Sequence, residues 1–417
     1  MLKHIKRPLV VLALAFFCYL AAQGTGIGLF GHLAAILLVL LLGTYLWAWL
    51  NLGGIQVQRE ISTQRAQVGE LARERITLIN NWPIGKLWIE LLDYSDLPLH
   101  NPGYVAHLPA RERRRWFVRT PCTMRGKFRL GPATLSSGDP FGLFRLERQI
   151  PGSSEILVYP RTIALPGFRL PVAELPGGQS VRSRTHQVTP NVSTIRDYLP
   201  GDGMNRIHWR STARTGQLMV KEFELDPTAD VYVVLDMQER VQVQPAMQPG
   251  GAGMRRPADR QLESTEEYSV QAAASVARHL LDQGRPVGLV AWGQQREVIP
   301  AEREIRQLGK ILTALAELRA YGSTSLAEVL AAEGARFGRN CTLVVITAGL
   351  DERWVSSLQH LLYRGVRAMA IIVDPESFGG WRTTAAIEVR LAELRVPTFI
   401  YRAGDDLAHV VIQRAAA

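Results

Sequence analysis

Two long apolar runs at the N-terminus constrain the fold of this chain most strongly. Residues 9–22 form an uninterrupted apolar run, and residues 29–50 contain no Asp, Glu, Lys or Arg. A helix of about 20 apolar residues spans the roughly 30 Å hydrocarbon core of a bilayer. Because the connection at residues 23–28 is short, the two runs predict a transmembrane helical hairpin over residues 1–52.

The flanks of the hairpin predict its orientation. Basic residues lie on both sides of it: Lys3, Lys6 and Arg7 before it, and Arg59 and Arg65 after it. The connection between the helices has no Lys or Arg. Since basic flanks are retained in the cytoplasm, both ends of the hairpin and everything after it are expected there. The alternative is a cleaved signal peptide, because Ala21-Ala22 resembles a cleavage site.

Residues 53–165 follow a different pattern, in which short alternating runs are separated by Gly, Pro and Asn. The candidate strands are residues 55–57, 75–79, 87–91, 116–119, 127–130, 144–147 and 156–159. Short, regularly spaced strands without helical periodicity predict a β-sandwich, with a small barrel as the alternative. Phe141 and Phe144, in a turn rich in Gly and Pro, are expected to pack in its core.

One charge run lies in this predicted sandwich, at residues 111–115, where four arginines surround Glu112. A solvated loop or an edge strand tolerates such a run, because charged side chains discourage edge-to-edge pairing. The alternative is attraction to phospholipid headgroups or to an acidic partner.

From residue 228 to residue 417, apolar strands alternate with helices. The candidate strands are residues 231–235, 287–292, 342–347, 368–373 and 398–401. The candidate helices are residues 265–283, 303–318, 326–337, 354–363 and 386–394, with a closing helix from Asp405. This alternation predicts an α/β doubly wound, mostly parallel sheet covered on both faces. Ligands of such sheets bind outside the carboxyl ends of the strands.

Residues 166–227 join the two predicted domains and contain a connector followed by a charged and aromatic segment, residues 193–224. The residues that define this segment are Arg196, Asp197, Tyr198, Gly201, Asp202, Arg206, His208, Trp209 and Arg214. Their order closely resembles the signature of the bacterial "domain of unknown function 58" family. Arginine-glycine and aspartate-proline-phenylalanine-glycine-leucine motifs upstream resemble the same family. That family has no established biochemical activity, so the resemblance implies architecture more than chemistry.

We interpret the signature segment as a structural joint. The expected ion pairs lie within the segment: Arg196, Arg206 and Arg214 with Asp197, Asp202 and Glu222 or Glu224. Tyr198 and Trp209 would insert between the β-sandwich and the α/β domain. This interpretation predicts that Trp209→Ala lowers stability, as the removal of a buried ring does.

The alternative is a hydrolytic enzyme. Asp202 and His208 would form a general acid/base pair, with Ser211 or Thr212 as the nucleophile. The chain has no G-x-S-x-G elbow, no H-E-x-x-H motif and no G-x-x-x-x-G-K-[ST] loop. We therefore expect no catalytic residue in this chain.

The α/β domain also looks like a von Willebrand factor type A domain, a fold that often carries a metal-ion-dependent adhesion site at its strand ends. Asp236 and Thr324 match the motif of that site, but Gln and Arg replace its two serines. Ala348 stands where its last aspartate belongs, with Asp351 three residues beyond. Since Mg²⁺ prefers several anionic or hydroxyl ligands, these remnants predict a degenerate site without metal, with a bound Mg²⁺ as the alternative.

The net charge of +10 is compatible with nucleic-acid or anionic-membrane binding. The basic residues are scattered, and no standard nucleic-acid-binding module can be identified. We therefore expect a lipid bilayer, and not a nucleic acid, as a partner. Cys18, Cys122 and Cys341 lie far apart and are expected to be unpaired thiols in a reducing compartment.

These features predict a scaffold or protein-interaction protein that is anchored in the inner (cytoplasmic) membrane and holds its soluble domains in the cytoplasm, without a cofactor. By the family resemblance, such proteins look like companions of MoxR-type AAA+ ATPases, often in systems connected with the cell envelope. The chain has no phosphate-binding loop of its own. The alternatives are the hydrolytic enzyme and metal-dependent adhesion through the α/β domain.

Overall fold

The computed structural model describes residues 6–170, 192–197, 207–223, 230–244, 264–338 and 341–413. Its N-terminal part is a pair of packed helices, α1 (Lys6–Thr25) and α2 (Gly28–Leu52). They are joined at Gly26, whose positive φ of 68° suits a glycine. Both helices are long and apolar enough to cross a membrane, and most of their large apolar side chains are exposed.

The next domain consists of short strands in three sheets. The strands are β1 (Ile55–Ile61), β2 (Arg65–Gln67), β3 (Leu71–Asn80), β4 (Lys86–Asp93), β5 (Tyr104–Leu108), β6 (Arg113–Pro121), β7 (Gly126–Leu130), β8 (Ala133–Gly138), β9 (Arg145–Ile150) and β10 (Ser154–Tyr159). The sheets are ordered β1-β3-β6, β2-β10-β7 and β5-β4-β8-β9. The first and last of these sheets share one apolar core, to which Leu78, Leu91 and Leu135 contribute. We call this unit the β-domain.

The loop between β8 and β9 corrects one expectation about the core. Phe141 is 67% exposed, and the ring of Phe144 packs edge-on against Tyr45 of α2, with ring centroids 5.5 Å apart. The buried carboxylate of Asp139 accepts the N–H groups of both phenylalanines, at 2.8 Å for Phe141. These hydrogen bonds fix a tight loop that directs Phe141 away from the core.

The membrane-type helix α2 ends within the β-domain. The side chain of Asn51 donates to the Leu87 carbonyl and to Ser137 Oγ (2.6 Å), and it accepts the Leu87 N–H at 2.9 Å. The buried Lys86 donates to the Leu50 carbonyl, and a cation is favourable at a helix C-terminus. Burial lowers the pKa of the Lys86 ammonium. Helix α2 and the β-domain are therefore joined directly, without a flexible linker.

Two described segments connect the β-domain to the last domain. Residues 160–170 leave β10, and Leu165, Phe168 and Leu170 are buried in the apolar core of the last domain. The described parts of the signature segment are β11 (Val192–Asp197), α3 (Trp209–Thr215) and β12 (Met219–Phe223), and β11 pairs antiparallel with β12.

The last domain is a six-stranded sheet with helices on both faces. Its strands are β13 (Val231–Leu235), β14 (Val287–Trp292), β15 (Arg296–Glu302), β16 (Thr342–Thr347), β17 (Arg367–Val373) and β18 (Thr398–Tyr401). Its helices are α4 (Thr265–Asp282), α5 (Gln307–Glu317), α6 (Leu326–Glu333), α7 (Arg353–Tyr363), α8 (Ala385–Glu393) and α9 (Leu407–Gln413). The strand order is β15-β14-β13-β16-β17-β18, and only the edge strand β15 is antiparallel to its neighbour. The predicted doubly wound α/β architecture is present, with β15 as an addition.

A buried arginine joins the β-domain to this α/β domain. Arg125, in the turn before β7, is fully buried and donates to the carbonyls of Leu315 (3.0 Å) and Leu318 (2.8 Å) at the end of α5. The same guanidinium pairs with Glu266, at 2.6 Å, and with Glu267 in the first turn of α4. It therefore satisfies free carbonyls at one helix end and carboxylates at the start of another.

Arg319 completes this group of four charged side chains, which we call the Arg125 cluster (Arg125, Glu266, Glu267 and Arg319). Its Nη2 donates to the Arg125 carbonyl at 2.8 Å, and its Nη1 lies 3.4 Å from Glu267 Oε1. Burial raises the pKa of Glu267, and the two arginines oppose that rise. The Arg125 cluster is thus a charge-paired joint between the two domains, and it lies outside the signature segment.

Candidate functional site

The strand order of the α/β domain locates a crevice at the carboxyl edge of its sheet. Numbered from β13, the strands run in the order 3-2-1-4-5-6, so that β13 and β16 are adjacent while their connections leave in opposite directions. In open α/β sheets, ligands bind at this switch point, outside the carboxyl ends of the two strands. Asp236 directly follows β13, and Thr347 ends β16.

Asp236 is held at this point by hydrogen bonds to both of its carboxylate oxygens. Thr347 Oγ1 donates to its Oδ2 at 2.6 Å, and the Gln238 N–H donates to its Oδ1 at 3.1 Å. The Gly349 N–H donates to Thr347 Oγ1 at 2.7 Å, which extends the network into the loop after β16. Asp236 is only 4% exposed, and burial raises its pKa to about 6 against the opposing effect of these hydrogen bonds.

The two other residues of the predicted degenerate motif, Thr324 and Asp351, lie just before α6 and α7. Thr324 is half-buried just before α6, where Ser325 and Glu328 form a reciprocal capping box. Asp351 pairs with Arg353, which donates to it from its backbone N–H at 3.0 Å, and these contacts lower the pKa of Asp351. Over the described ranges, no three His, Cys, Asp or Glu side chains are grouped so as to hold a metal ion. In this arrangement Asp351 is engaged with Arg353, and both carboxylate oxygens of Asp236 already accept hydrogen bonds.

Large side chains project into solvent from the loops of the same edge. Trp381, in the loop after β17, is 84% exposed, and the Arg382 guanidinium lies 4.6 Å from the centre of its ring. Tyr321 is 67% exposed beside Gly322, which bridges to Gln238 in the loop after β13. Trp, Tyr and Arg are the residues most often found as binding hot spots at protein interfaces. We call Tyr321, Arg353, Trp381 and Arg382 the carboxyl-edge surface.

The sequence interpretation did not identify the carboxyl-edge surface. The sequence feature that could have indicated this surface is the segment Gly379-Gly380-Trp381-Arg382, which follows a predicted apolar strand. A large aromatic residue next to glycines in such a loop has little core to enter. The same reasoning applies to Tyr321-Gly322.

Most of the signature residues lie outside the described residues. They are Tyr198, Gly201, Asp202 and Arg206, together with the side chain of Arg196. Asp197 ends β11 and is exposed, and Arg214 is exposed in the last turn of α3. The ion pairs predicted for Arg196, Arg206 and Asp202 stay predictions.

Trp209 was predicted to insert between the β-sandwich and the α/β domain, and this prediction is wrong. Its side chain is 64% exposed at the start of α3. The first turn of this helix offers no apolar neighbour large enough to cover an indole, and none of its seven residues is buried. The buried residues beside it are Ile207 and Val220, which bridge β12 to the segment before the helix.

His208 and Ser211 are in contact, as the hydrolytic alternative requires. Their Nδ1 and Oγ atoms lie 2.7 Å apart. The same Nδ1 accepts the Ser211 N–H at 3.3 Å, so that the imidazole caps the N-terminus of α3. The His208 N–H donates to the Met219 carbonyl at 2.8 Å, which holds the cap against β12. These contacts give His208 a structural role, and Asp202 lies outside the described residues.

The family comparison agrees with the signature. Residues 194–377 match the family described as "Protein of unknown function DUF58". The matched residues begin in β11 and end in the loop after β17, so they include Asp236 and most of the α/β domain. The hairpin and the β-domain lie outside them.

Similar proteins extend the comparison to most of the chain. The uncharacterized protein YeaD of Bacillus subtilis (strain 168) is 23% identical over 378 residues, which are 88% of this chain and 87% of the relative. Among solved structures, the CARDB domain of PF1109 from Pyrococcus furiosus covers 25% of this chain and 94% of its own length, at 16% identity and a TM-score of 0.20. The C-terminal domain of wzt covers 26% of this chain and 76% of its own length, at 10% identity and a TM-score of 0.21.

Proposed function

We propose that this chain is a membrane-anchored cytoplasmic docking protein whose carboxyl-edge surface receives a partner protein. The observation that carries the proposal is that the sheet edge combines exposed aromatic side chains with a buried, hydrogen-bonded carboxylate. Trp381 and Tyr321 project into solvent from loops of that edge, whereas Asp236 at the end of β13 is buried and hydrogen-bonded on both oxygens. Exposed aromatic side chains supply binding energy at protein interfaces. The buried carboxylate holds the loops after β13 and β16, and Gly322 beside Tyr321 bridges to the first of these loops. The docking that we propose involves neither a metal ion nor catalysis.

We also propose that the α/β domain is von Willebrand factor type A-like. Three features support this: a six-stranded sheet with one antiparallel edge strand, helices on both faces, and Asp236 and Thr324 in the matching loops. The two missing serines and the ion pair of Asp351 with Arg353 favour docking without metal-dependent adhesion.

The proposed anchor is the α1–α2 hairpin in the inner membrane, with both of its ends in the cytoplasm. Its basic flanks support this orientation. So does one contact, because Arg7 Nη1 donates to the Gly142 carbonyl at 3.0 Å. The start of α1 therefore lies on the same side of the hairpin as the β-domain.

The contacts between modules make the carboxyl-edge surface part of a connected body. Asn51 and Lys86 join α2 to the β-domain, and the Arg125 cluster joins the β-domain to the ends of α4 and α5. A partner bound at Trp381 would thus be held at a fixed place relative to the membrane. By the family resemblance, we propose a MoxR-type AAA+ ATPase as that partner.

Affinity capture tests this function. Full-length protein, Trp381→Ala and the control Trp209→Ala would each be purified from detergent extracts of the native host, and the recovered proteins quantified by mass spectrometry. We expect an AAA+ ATPase with the wild type and with Trp209→Ala. Recovery with Trp381→Ala should fall by roughly thirtyfold or more, since loss of a hot-spot Trp costs at least about 2 kcal/mol. Equal recovery with Trp381→Ala, or no ATPase with the wild type, would contradict the proposal.

A further inference from the structure

An exposed phenylalanine on the β-domain lies beside the middle of helix α2. Phe141 and Pro140 form one wall of an apolar groove of about 390 Å³, and Val39, Gly43 and Trp47 of α2 form the other. The loop that carries Phe141 is fixed from within by the buried Asp139, so its exposed ring is held in place. An exposed apolar ring on an ordered loop is costly in water and favourable in hydrocarbon.

Distances along α2 indicate the depth of this ring in a bilayer. Gly43 precedes Trp49 by six residues, which corresponds to about 9 Å at 1.5 Å per residue. Trp49 packs edge-on against Trp82 of the β-domain, with ring centroids 6.4 Å apart. Tryptophan rings favour the headgroup level of a membrane. The groove beside Phe141 extends from Trp47 to Val39, and the Arg7 guanidinium lies at the neighbouring Gly142 carbonyl. With the tryptophans and Arg7 at the headgroup level, Phe141 lies where the headgroups meet the acyl chains.

The charge run of residues 111–115 begins at the level of the tryptophans and continues along β6. The Arg111 N–H donates to the Trp82 carbonyl at 3.0 Å, and the Asn80 N–H donates to the Glu112 carbonyl at 3.0 Å. The neighbouring Asn81 N–H donates to the Gly54 carbonyl, two residues after α2 ends. The charge run of residues 111–115 therefore begins close to the C-terminal end of α2.

The arginines of residues 111–115 expose their side chains to solvent, where they can bind an anionic ligand. All four are exposed, and Arg114 lies over the ring of Tyr104, with its guanidinium carbon 5.6 Å from the ring centre. For Arg111, Arg113 and Arg115, the described part of the chain offers no ion-pair partner. Exposed cations near the end of α2 and an apolar groove along the same helix together complement a ligand that has both acyl chains and an anionic head.

We infer that this end of the β-domain is a second membrane-binding element, which binds anionic phospholipids of the bilayer around the hairpin. Phe141 inserts where the headgroups meet the acyl chains, and the arginines of residues 111–115 bind the lipid phosphates. The inference rests on the proposed membrane anchoring by α1 and α2. Together with the hairpin, this second element gives the β-domain and the α/β domain several separate contacts with the membrane. These contacts restrict the tilt of the two domains relative to the bilayer.

Spin-label accessibility tests the position of Phe141. Nitroxide labels would be attached to Phe141→Cys, Phe117→Cys and Leu42→Cys in full-length protein with Cys18→Ala, reconstituted in nanodiscs of phosphatidylcholine and phosphatidylglycerol. Phe117 is the matched control, because it lies in the same domain, on the edge strand β6, and is also 67% exposed. Leu42, in α2, reports on the hairpin and is 69% exposed. We expect labels 42 and 141 to be accessible to oxygen, and label 117 to a water-soluble nickel chelate.

The possible results distinguish a failure of this inference from a failure of the proposed membrane anchor. A label at 42 in hydrocarbon together with a label at 141 in water would overturn the inference and leave the anchor intact. A label at 42 in water would overturn the proposed anchor itself. Labels at 141 and 117 with equal accessibility would show that Phe141 is an ordinary surface residue, and this result also overturns the inference.

Lipid selectivity tests the arginines. The association constant of spin-labelled phosphatidylglycerol, relative to phosphatidylcholine, would be measured for wild type, Arg113→Gln/Arg115→Gln and the control Arg119→Gln, which removes an exposed charge further along β6. Each arginine near an anionic surface contributes roughly a fivefold preference. We expect the double variant to lose most of the preference for phosphatidylglycerol, and Arg119→Gln to keep it. A preference retained by the double variant, or lost equally in the control, would overturn the assignment.

Discussion

Two aspartates at the same sheet edge have opposite pKa shifts because their surroundings differ. Asp236 is buried among β13, β16 and their loops, and desolvation raises its pKa to about 6. Asp351 is half-exposed, and the Arg353 side chain that pairs with it lowers its pKa. The sequence interpretation treated both as remnants of one metal site. The structure separates them into a buried support and a surface ion pair.

The raised pKa of Asp236 predicts a pH-dependent stability. The folded state holds the proton more tightly than the unfolded chain, whose aspartate titrates near 3.9. The stabilisation is therefore complete below about pH 4 and is lost as pH rises through about 6. The change amounts to about 3 kcal/mol, at 1.36 kcal/mol for each pKa unit.

Asp236→Asn isolates this effect because an amide does not ionise in this range. We expect the free energy of unfolding of the wild type, minus that of Asp236→Asn, to decrease between pH 4 and 6 and to stay constant above pH 7. Chemical denaturation of the full-length protein in detergent micelles measures it. A difference that is constant with pH, or that grows as pH rises, would show that Asp236 is ionised when folded.

At the scale of elements, the sequence predicted the parallel strands well and the β-domain less well. The bounds of β13, β14, β16 and β18 match the predicted ones, because a strand buried on both faces is a continuous apolar run. Strand β8 is absent from the predicted strands, since its sequence Ala133–Gly138 is rich in Ser and Gly. Its place between β4 and β9 makes it a strand, and strand preference depends on such context.

The joint between the domains was not predictable from local sequence. Arg125 is one of 48 basic residues in the chain, and nothing in its neighbourhood distinguishes it before folding. Its role arises only when the end of α5 and the start of α4 meet the β-domain. The signature segment drew attention because its charges are adjacent in sequence, whereas those of the Arg125 cluster come from three distant elements.

Substitutions at Arg125 and Trp209 compare the two joints. Arg125→Ala removes one member of a buried ion-pair network and should lower the free energy of unfolding by about 3–5 kcal/mol. Trp209→Ala removes an exposed ring and should change it by less than about 1 kcal/mol. Denaturant unfolding of both full-length variants in the same detergent measures the difference. A larger loss of unfolding free energy for Trp209→Ala than for Arg125→Ala would show that the signature segment joins the domains.

At the scale of the whole molecule, the chain is a series of directly joined modules. The apolar hairpin continues into the β-domain through Asn51, and the Arg125 cluster carries the connection to the α/β domain. The carboxyl-edge surface lies on the last of these modules. The order of modules was evident from the sequence, because each has its own hydrophobic pattern. Their contacts were not, because they depend on single buried polar residues.

The central claim is that a partner protein binds the carboxyl-edge surface. Photo-cross-linking in intact cells tests it most directly, with a benzophenone amino acid at position 381 and, as a control, at position 209, since Trp209 is also exposed. We expect an adduct with a second protein from position 381 and none from position 209. An adduct only from position 209, or none from position 381, would contradict it.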